Sequence, residues 1–214
     1  MFISALLLAA SAISLPQFDM GGLQNYFFKK FDFNKLTRQD AAVGVTVNLW
    51  IEPHGRIAGC WIGRMIGNQQ AAKGLCPILL GMYAVPARDE KGKRTYGLVT
   101  VNFFVPPGPS KETDQTFAAS LLAKPNAGDR EDELTMRTPA TPATPRDALT
   151  ISVTADGSVG ACARGALPEE VFEEACANAK GKAFVVRRGD KGQAVPYVRR
   201  VILVPTAPQS TPNG

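Results

Sequence analysis

Histidine is almost absent from this sequence, which narrows the chemistry that the chain can perform. The 214 residues contain a single histidine, His54, between Pro53 and Gly55 in a segment typical of a turn. A Ser-His-Asp triad needs a histidine grouped with a serine and an acid, and the sequence places no such group around His54. A single histidine also offers little to a zinc site that uses histidine ligands. The GxxxxGK[ST] pattern that cradles phosphate is also missing. We therefore expect no enzyme activity, no metal site and no cofactor.

Clusters of positive charge are missing as well. The chain carries 24 Lys and Arg against 19 Asp and Glu, a net charge of +5, but the cations are scattered among acids. We therefore expect no nucleic-acid binding. Residues 26–33 do interleave aromatics with two lysines. Contact with single-stranded nucleic acid or a membrane surface is one interpretation, and packing on the following module is the simpler one.

A long apolar run is absent, but a short one occupies the N-terminus. Phe2 to Ser14 is apolar or small throughout, and Leu15 and Pro16 follow. A bilayer span takes about 20 residues, whereas a secretory signal needs an apolar region of about 7–15. No Lys or Arg precedes the run, so the alternatives are a buried N-terminal helix and a misassigned start codon. We predict that residues 1–15 are a signal peptide, that the protein is periplasmic, and that it has no stable membrane span.

Two segments of the chain resemble each other closely enough to indicate a duplication. Corresponding residues recur at an offset of 102 (157 − 55) and then, after a two-residue deletion, of 100 (176 − 76). The matched pairs are Gly55 with Gly157, Cys60 with Cys162, Cys76 with Cys176, Lys91 with Lys191, Gly92 with Gly192, and Val101 with Val201. An ordered series of this kind predicts two copies of one structural unit.

The pattern within each copy predicts two strands, a helix and a third strand. Apolar residues alternate at Val45, Val47 and Leu49 before a turn at 52–55, the pattern of a half-buried strand entering a hairpin. In the second copy Pro168 and two glutamates open a segment with helical spacing. We predict an α+β protein of two small ββαβ modules, each a three-stranded antiparallel sheet with one packed helix.

The four cysteines fit this layout as two disulfides. The even number permits three pairings, and the layout places one cysteine of each copy on its second strand and the other on its helix. We therefore predict Cys60–Cys76 and Cys162–Cys176 bridges, each tying helix to sheet. Metal binding is disfavoured because no pair has CxxC spacing.

The remaining segments complete the predicted organisation. Residues 16–43 form a lead segment, 44–105 module 1, 106–147 a Pro/Thr/Ala-rich linker, 148–205 module 2 and 206–214 a disordered tail.

The first module resembles the cysteine-containing branch of the TonB C-terminal domain family. Val45, Val47, Gly55, Cys60, Ile62, Gly67 and Cys76 occur in the family's order, and Pro86, Ala87, Arg88, Asp89 and Gly92 match its last motif. The second module keeps the hairpin, the cysteines and Gly192 but lacks the Pro-Ala-Arg-Asp motif. The family's Ser-Ser pair and the long transmembrane anchor are absent here.

The resemblance implies recognition of an outer-membrane transporter by strand addition to a sheet edge. The predicted partner-binding residues are those of the last strands: Val99, Val101, Phe103, Val201 and Leu203. A simpler interpretation is that the side chains of these residues belong to the core. The function predicted is therefore a non-enzymatic TonB-like protein that binds an envelope partner. The alternatives are a repurposed periplasmic binding or inhibitor module and an energy transducer anchored by its N-terminal segment.

Overall fold

Sheet dominates the computed structural model, which describes residues 13–18, 43–67, 72–105, 133–136 and 148–205. Within these ranges the strands are β1 (Val43–Ile51), β2 (Ile57–Gly67), β3 (Ala87–Arg88), β4 (Arg94–Val105), β5 (Glu133–Met136), β6 (Ala148–Val153), β7 (Val159–Ala163), β8 (Arg187–Arg188), β9 (Ala194–Val195) and β10 (Tyr197–Pro205). The helices are α1 (Leu75–Leu79) and α2 (Glu169–Lys180).

The predicted fold class is wrong, because the strands of the two copies join in one continuous mixed sheet. Its main order is β2-β1-β4-β10-β6-β7, with β3 and β5 attached beside β4 and β10. The junction is a parallel pairing of β4 with β10, in which Tyr197 lies opposite Tyr96 and Arg199 opposite Leu98. A separate three-stranded sheet would leave the last strand of each copy as an edge with unpaired backbone groups. Here those two edges pair with each other.

The two helices pack on opposite faces of this sheet. Leu75 and Leu79 of α1 lie in a buried cluster with Leu49, whereas Ala175 of α2 lies in a cluster that contains Trp50. Neighbouring residues of a strand point to opposite faces, so Leu49 and Trp50 mark the two sides. Each half of the sheet is thus covered by its own helix on one face, and the core with Trp50 extends across the junction.

Aromatic side chains reinforce the junction on the α2 face. The rings of Trp50 and Tyr96 stack with centroids 5.2 Å apart, and Tyr197 meets Trp50 edge-on at 5.6 Å. Two side-chain hydrogen bonds add to this contact: Thr95 Oγ1 to the Pro196 carbonyl at 3.2 Å, and Ser152 Oγ to Glu90 Oε2 at 3.0 Å. The junction therefore depends on side chains of both halves.

Both predicted disulfides are confirmed. Cys60 bonds to Cys76 across a Cα–Cα distance of 5.4 Å, and Cys162 bonds to Cys176 across 5.9 Å. Each bridge ties the second strand of one copy, β2 or β7, to the helix that follows. The bridges shorten the loops of the unfolded chain and so stabilise a fold in which α1 has only five residues.

Several sequence predictions fall partly or wholly outside the described residues. Of the predicted signal peptide, residues 13–15 are described; they lie against the first half of the sheet. The aromatic segment 26–33 and the tail 206–214 lie outside the described ranges. Of the predicted linker, Glu133–Met136 is described and pairs in parallel with the end of β10.

Candidate protein-binding edge

Strand β2 forms one outer edge of the sheet. Its partner is β1, and its other side is paired with no strand in the described part of the chain. At its first residue, the Ile57 N–H donates to the Met82 carbonyl and the Ile57 carbonyl accepts from Gly81, so these groups point away from β1. The Glu52 N–H donates to the Arg56 carbonyl, so the even-numbered residues of β1 point towards β2, and their partners Gly59 and Trp61 point towards β1. The backbone groups of Cys60 and Ile62 therefore point outward. We call residues 58–62 the β2 edge.

The two faces beside the β2 edge are chemically different. Cys60 and Ile62 pack against the α1 core. Trp61 faces the other way, with the Arg187 guanidinium carbon 5.1 Å from its ring centroid. A strand added here would therefore meet apolar side chains on one face and a cation–aromatic pair on the other.

Strand β7 forms the opposite edge of the described sheet and is shorter. It spans Val159–Ala163 and pairs with β6, whereas β2 continues to Gly67 through a register shift opposite Val45 and Val47. The shift is a β-bulge, a feature that bends an edge strand locally. This bulge lies beyond Ile62, and a second register shift leaves Ala58 as an extra residue, so the ladder is regular over residues 59–62.

Of the residues predicted for partner binding, the two on β10 lie inside the sheet. Strand β10, which carries Val201 and Leu203, pairs with β6 on one side and with β4 and β5 on the other, and both side chains are buried. Val99, Val101 and Phe103 on β4 are partly buried against the α1 core. Partner binding by these five residues stays a prediction, but the outer edges of the described sheet are β2 and β7.

The family-motif residues hold the turn between β3 and β4. Asp89 Oδ1 accepts hydrogen bonds from the backbone N–H groups of Lys91 and Lys93, both at 2.9 Å. Arg88 Nη1 donates to the Gly92 carbonyl at 2.7 Å, and Gly92 has a φ of +71°, which favours glycine. The remaining members are structural too: Ala87 is buried, Pro86 precedes it, and Gly67 ends β2 with a φ of +82°.

The second half retains part of this turn, which the sequence comparison missed. Arg188 Nη1 donates to the Gly192 carbonyl at 2.6 Å, and the Gly192 N–H donates to the Gly189 carbonyl at 3.0 Å. Arg188 lies 100 residues after Arg88, the offset of the repeat. Extending the alignment through Arg188 would have revealed the equivalence despite the loss of Pro, Ala and Asp.

His54 lies on the first hairpin turn and its side chain is 60% exposed. Its Nε2 is 3.0 Å from Oε2 of Glu52, whose side chain is largely buried. Across the described ranges no three His, Cys, Asp or Glu side chains are grouped in a way that could hold a metal ion. The His54–Glu52 pair is a local contact of the turn.

Two titrating groups are perturbed by their surroundings. Hydrogen bonds from the side chain of Thr154 and from the backbone and side chain of Ser158 lower the pKa of Asp156 to about 2. Burial raises the pKa of Tyr96, and the negative charges of Asp190 and Glu52 raise it further. Asp156 closes the second hairpin turn and Tyr96 lies in the junction, so both shifts have structural causes.

Comparisons with protein-family models, with curated proteins and with solved structures found no match. None of the helices in the described ranges has the length and apolar character needed to span a bilayer.

Proposed function

We propose that this chain is a non-enzymatic periplasmic protein that binds an envelope partner through strand addition at the β2 edge. The observation that carries the proposal is the outward direction of the Cys60 and Ile62 backbone groups on a long outer strand. A partner segment in extended conformation would supply the missing hydrogen bonds, and side chains beside the edge would select its sequence.

Strand β2 suits this role better than β7. It has 11 residues against five, so it offers more backbone groups to an added strand. Long edge strands with few charges are surfaces on which another chain can pair. The only charged side chain on β2 is Arg64, beyond the β2 edge.

The proposed compartment follows from covalent chemistry. Two disulfides accord with an oxidising environment such as the periplasm, because cytosolic reductants keep most thiols reduced. The apolar N-terminal run supports the same assignment. The resemblance to the TonB C-terminal domain family supports an outer-membrane transporter as the partner.

Site-specific photocrosslinking in intact envelopes tests the proposal. A photoreactive residue in place of Ala58, exposed on β2, should capture a TonB-dependent transporter. The matched control is the same residue in place of Ala177, an exposed alanine on α2. Capture of only soluble or cell-wall proteins at position 58 would keep strand addition and remove the transport role. Equal capture at both positions, or none, would contradict strand addition at β2.

A further inference from the structure

A strand has already been added to the first half of the sheet, and it comes from the N-terminal part of the chain. Ser14 and Arg88 exchange two backbone hydrogen bonds of 3.0 Å. Gln17 and Val85 exchange two more, of 3.0 and 2.8 Å. Residues 13–18 thus run antiparallel to residues 85–88, on the side of β3 away from β4.

Proline makes this pairing economical. The two hydrogen-bonded pairs are three residues apart on each strand, and Pro16 and Pro86 lie between them. Proline has no backbone N–H, so no donor is left without a hydrogen-bond partner at these two positions. An extended segment with proline at this place therefore suits the edge formed by residues 85–88.

The segment lies in a shallow groove whose walls are small residues. Ile13 is 7% exposed and packs against Ala87 and Val198. Pro16 lies over Gly97, where an added Cβ would come within 2.3 Å of the proline Cγ. We call this surface the Gly97 groove; it is formed by Ala87, Gly97, Ala161, Ala163 and Val198.

The corresponding surface on the opposite face has large side chains in these places. At the repeat offsets, Tyr197 corresponds to Gly97 (197 − 97 = 100), Arg187 to Ala87 (187 − 87 = 100), and Trp61 to Ala163 (163 − 61 = 102). The Tyr197 hydroxyl donates to the Val185 carbonyl at 2.9 Å, where the Gln17 N–H donates to the equivalent Val85 carbonyl. The second surface is filled by the protein's own side chains, whereas small residues keep the Gly97 groove open for a backbone.

We propose that the Gly97 groove is a peptide-binding site for an extended partner segment with an aliphatic residue and, three positions later, a proline. Residues 13–18 occupy it in this chain as an internal placeholder. The site lies in the middle of the sheet and goes beyond the β2 edge.

The placeholder is held in a way that permits exchange. Four backbone hydrogen bonds and the side chains of Ile13, Leu15, Pro16 and Phe18 hold it, and residues 19–42 connect it to β1. Terminal segments with few contacts open more readily than the core. The expected signal-peptide boundary at residue 15 also falls within the segment. Removal of residues 1–15 would take Ile13 and Ser14 from the groove and uncover Ala87 and Val198.

Peptide binding to the purified full chain tests this proposal. The probe is a fluorescent peptide with the sequence of residues 11–20, and fluorescence anisotropy is the readout. Ile13→Asp places a charge in an apolar site and should release the placeholder. We expect this variant to bind the probe at least about tenfold more tightly than the parent chain, in which the tethered segment competes at high effective concentration. Val186→Asp, the same type of change at a 42% exposed position, should bind like the parent.

A second substitution locates the binding. Gly97→Val in the Ile13→Asp background fills the place of Pro16 and should abolish binding, and a probe with aspartate in place of its proline should not bind. Hydrogen exchange supplies an independent readout: protection of the Val85 and Arg88 amides should fall in the Ile13→Asp chain and return with the probe. If Ile13→Asp does not fold, Pro16→Asp serves as the releasing variant.

Three results would overturn the proposal. They are a folded releasing variant that does not bind the probe, binding that survives Gly97→Val, and a parent dimer that dissociates with Ile13→Asp, which would assign the groove to a second copy. Because the assay uses purified components and leaves β2 unchanged, its outcome is independent of the envelope crosslinking at Ala58.

Discussion

Removing the second disulfide should destabilise the whole sheet, including the first half. The perturbation is Cys162→Ala together with Cys176→Ala. The bridge closes a loop with a sequence separation of 14, and its loss costs about 3 kcal/mol in the chain-entropy model. For a chain of this size, each kcal/mol corresponds to roughly 2–4 °C in Tm, so we expect a decrease of about 6–12 °C.

Tryptophan fluorescence makes this prediction specific to the continuous sheet. Both tryptophans of the chain, Trp50 and Trp61, lie on strands of the first half. Trp50 nevertheless belongs to the core that α2 covers and contacts Tyr197. The urea midpoint measured by fluorescence should therefore fall together with the midpoint measured by far-UV circular dichroism.

The matched control is the first bridge. Cys60→Ala with Cys76→Ala opens a loop with a separation of 16 and should cost about the same, roughly 3 kcal/mol. The variant lacking all four cysteines should be insensitive to reductant. If the second-bridge variant lowered the dichroism midpoint and left the fluorescence midpoint unchanged, the two halves would unfold independently and the reasoning from a shared core would be refuted.

Three further changes test individual contacts. Gly55→Ala forces a side chain to φ +97° and puts its Cβ 2.3 Å from a backbone oxygen. It should lower the free energy of unfolding more than Gly81→Ala, which adds only backbone strain of about 1–2 kcal/mol. Equal urea midpoints for the two variants would contradict the clash. Tyr197→Phe removes the hydroxyl that donates to the Val185 carbonyl in a part-buried hydrogen bond and should cost about 1 kcal/mol by urea unfolding. An unchanged midpoint would count against that bond. The lowered pKa of Asp156 contributes stability above pH about 4, and this stability is lost as the pH falls towards 2. The Tm difference between the parent chain and Asp156→Asn should therefore shrink across that pH range. A Tm difference independent of pH would contradict the lowered pKa.

Local features of this fold could be predicted from the sequence because they depend on neighbouring residues. The repeat aligned the cysteines, and the alternation of Val45, Val47 and Leu49 marks a strand whose inward side chains are fully buried. Gly55 was predicted in a turn, and both Gly55 and Gly157, its counterpart in the repeat, have positive φ. Each of these features follows from spacing within one copy.

The joining of the two copies could not be predicted in this way. Hydrophobic periodicity shows which side chains of a strand face inward, but it does not show which edge the strand presents to another strand. The parallel pairing of Tyr96 with Tyr197 inverts the second half relative to the first, so that α1 and α2 cover opposite faces. Trp50, the neighbour of Leu49 on β1, is buried in the core on the α2 side because of that inversion.

The candidate sites also differ in whether they depend on local contacts or on contacts between distant parts of the chain. The motif around Arg88 and Asp89 was visible in the sequence and forms a turn. The β2 edge and the Gly97 groove depend on contacts between distant parts of the chain, such as Pro16 over Gly97. Only a change of residue size between the copies, glycine at 97 and tyrosine at 197, hinted that the two surfaces differ.

The shortness of the parallel pairing between β4 and β10 has a mechanical consequence. Only three residue pairs are in register there, whereas β1 and β4 are in register over nine. Long ladders of backbone hydrogen bonds therefore hold each half together, whereas the halves are held to each other by a short ladder and by side chains, among them the rings of Trp50, Tyr96 and Tyr197. Under a pulling force applied across the sheet, the molecule would part first along this line, into two lobes that each keep a disulfide-bonded helix.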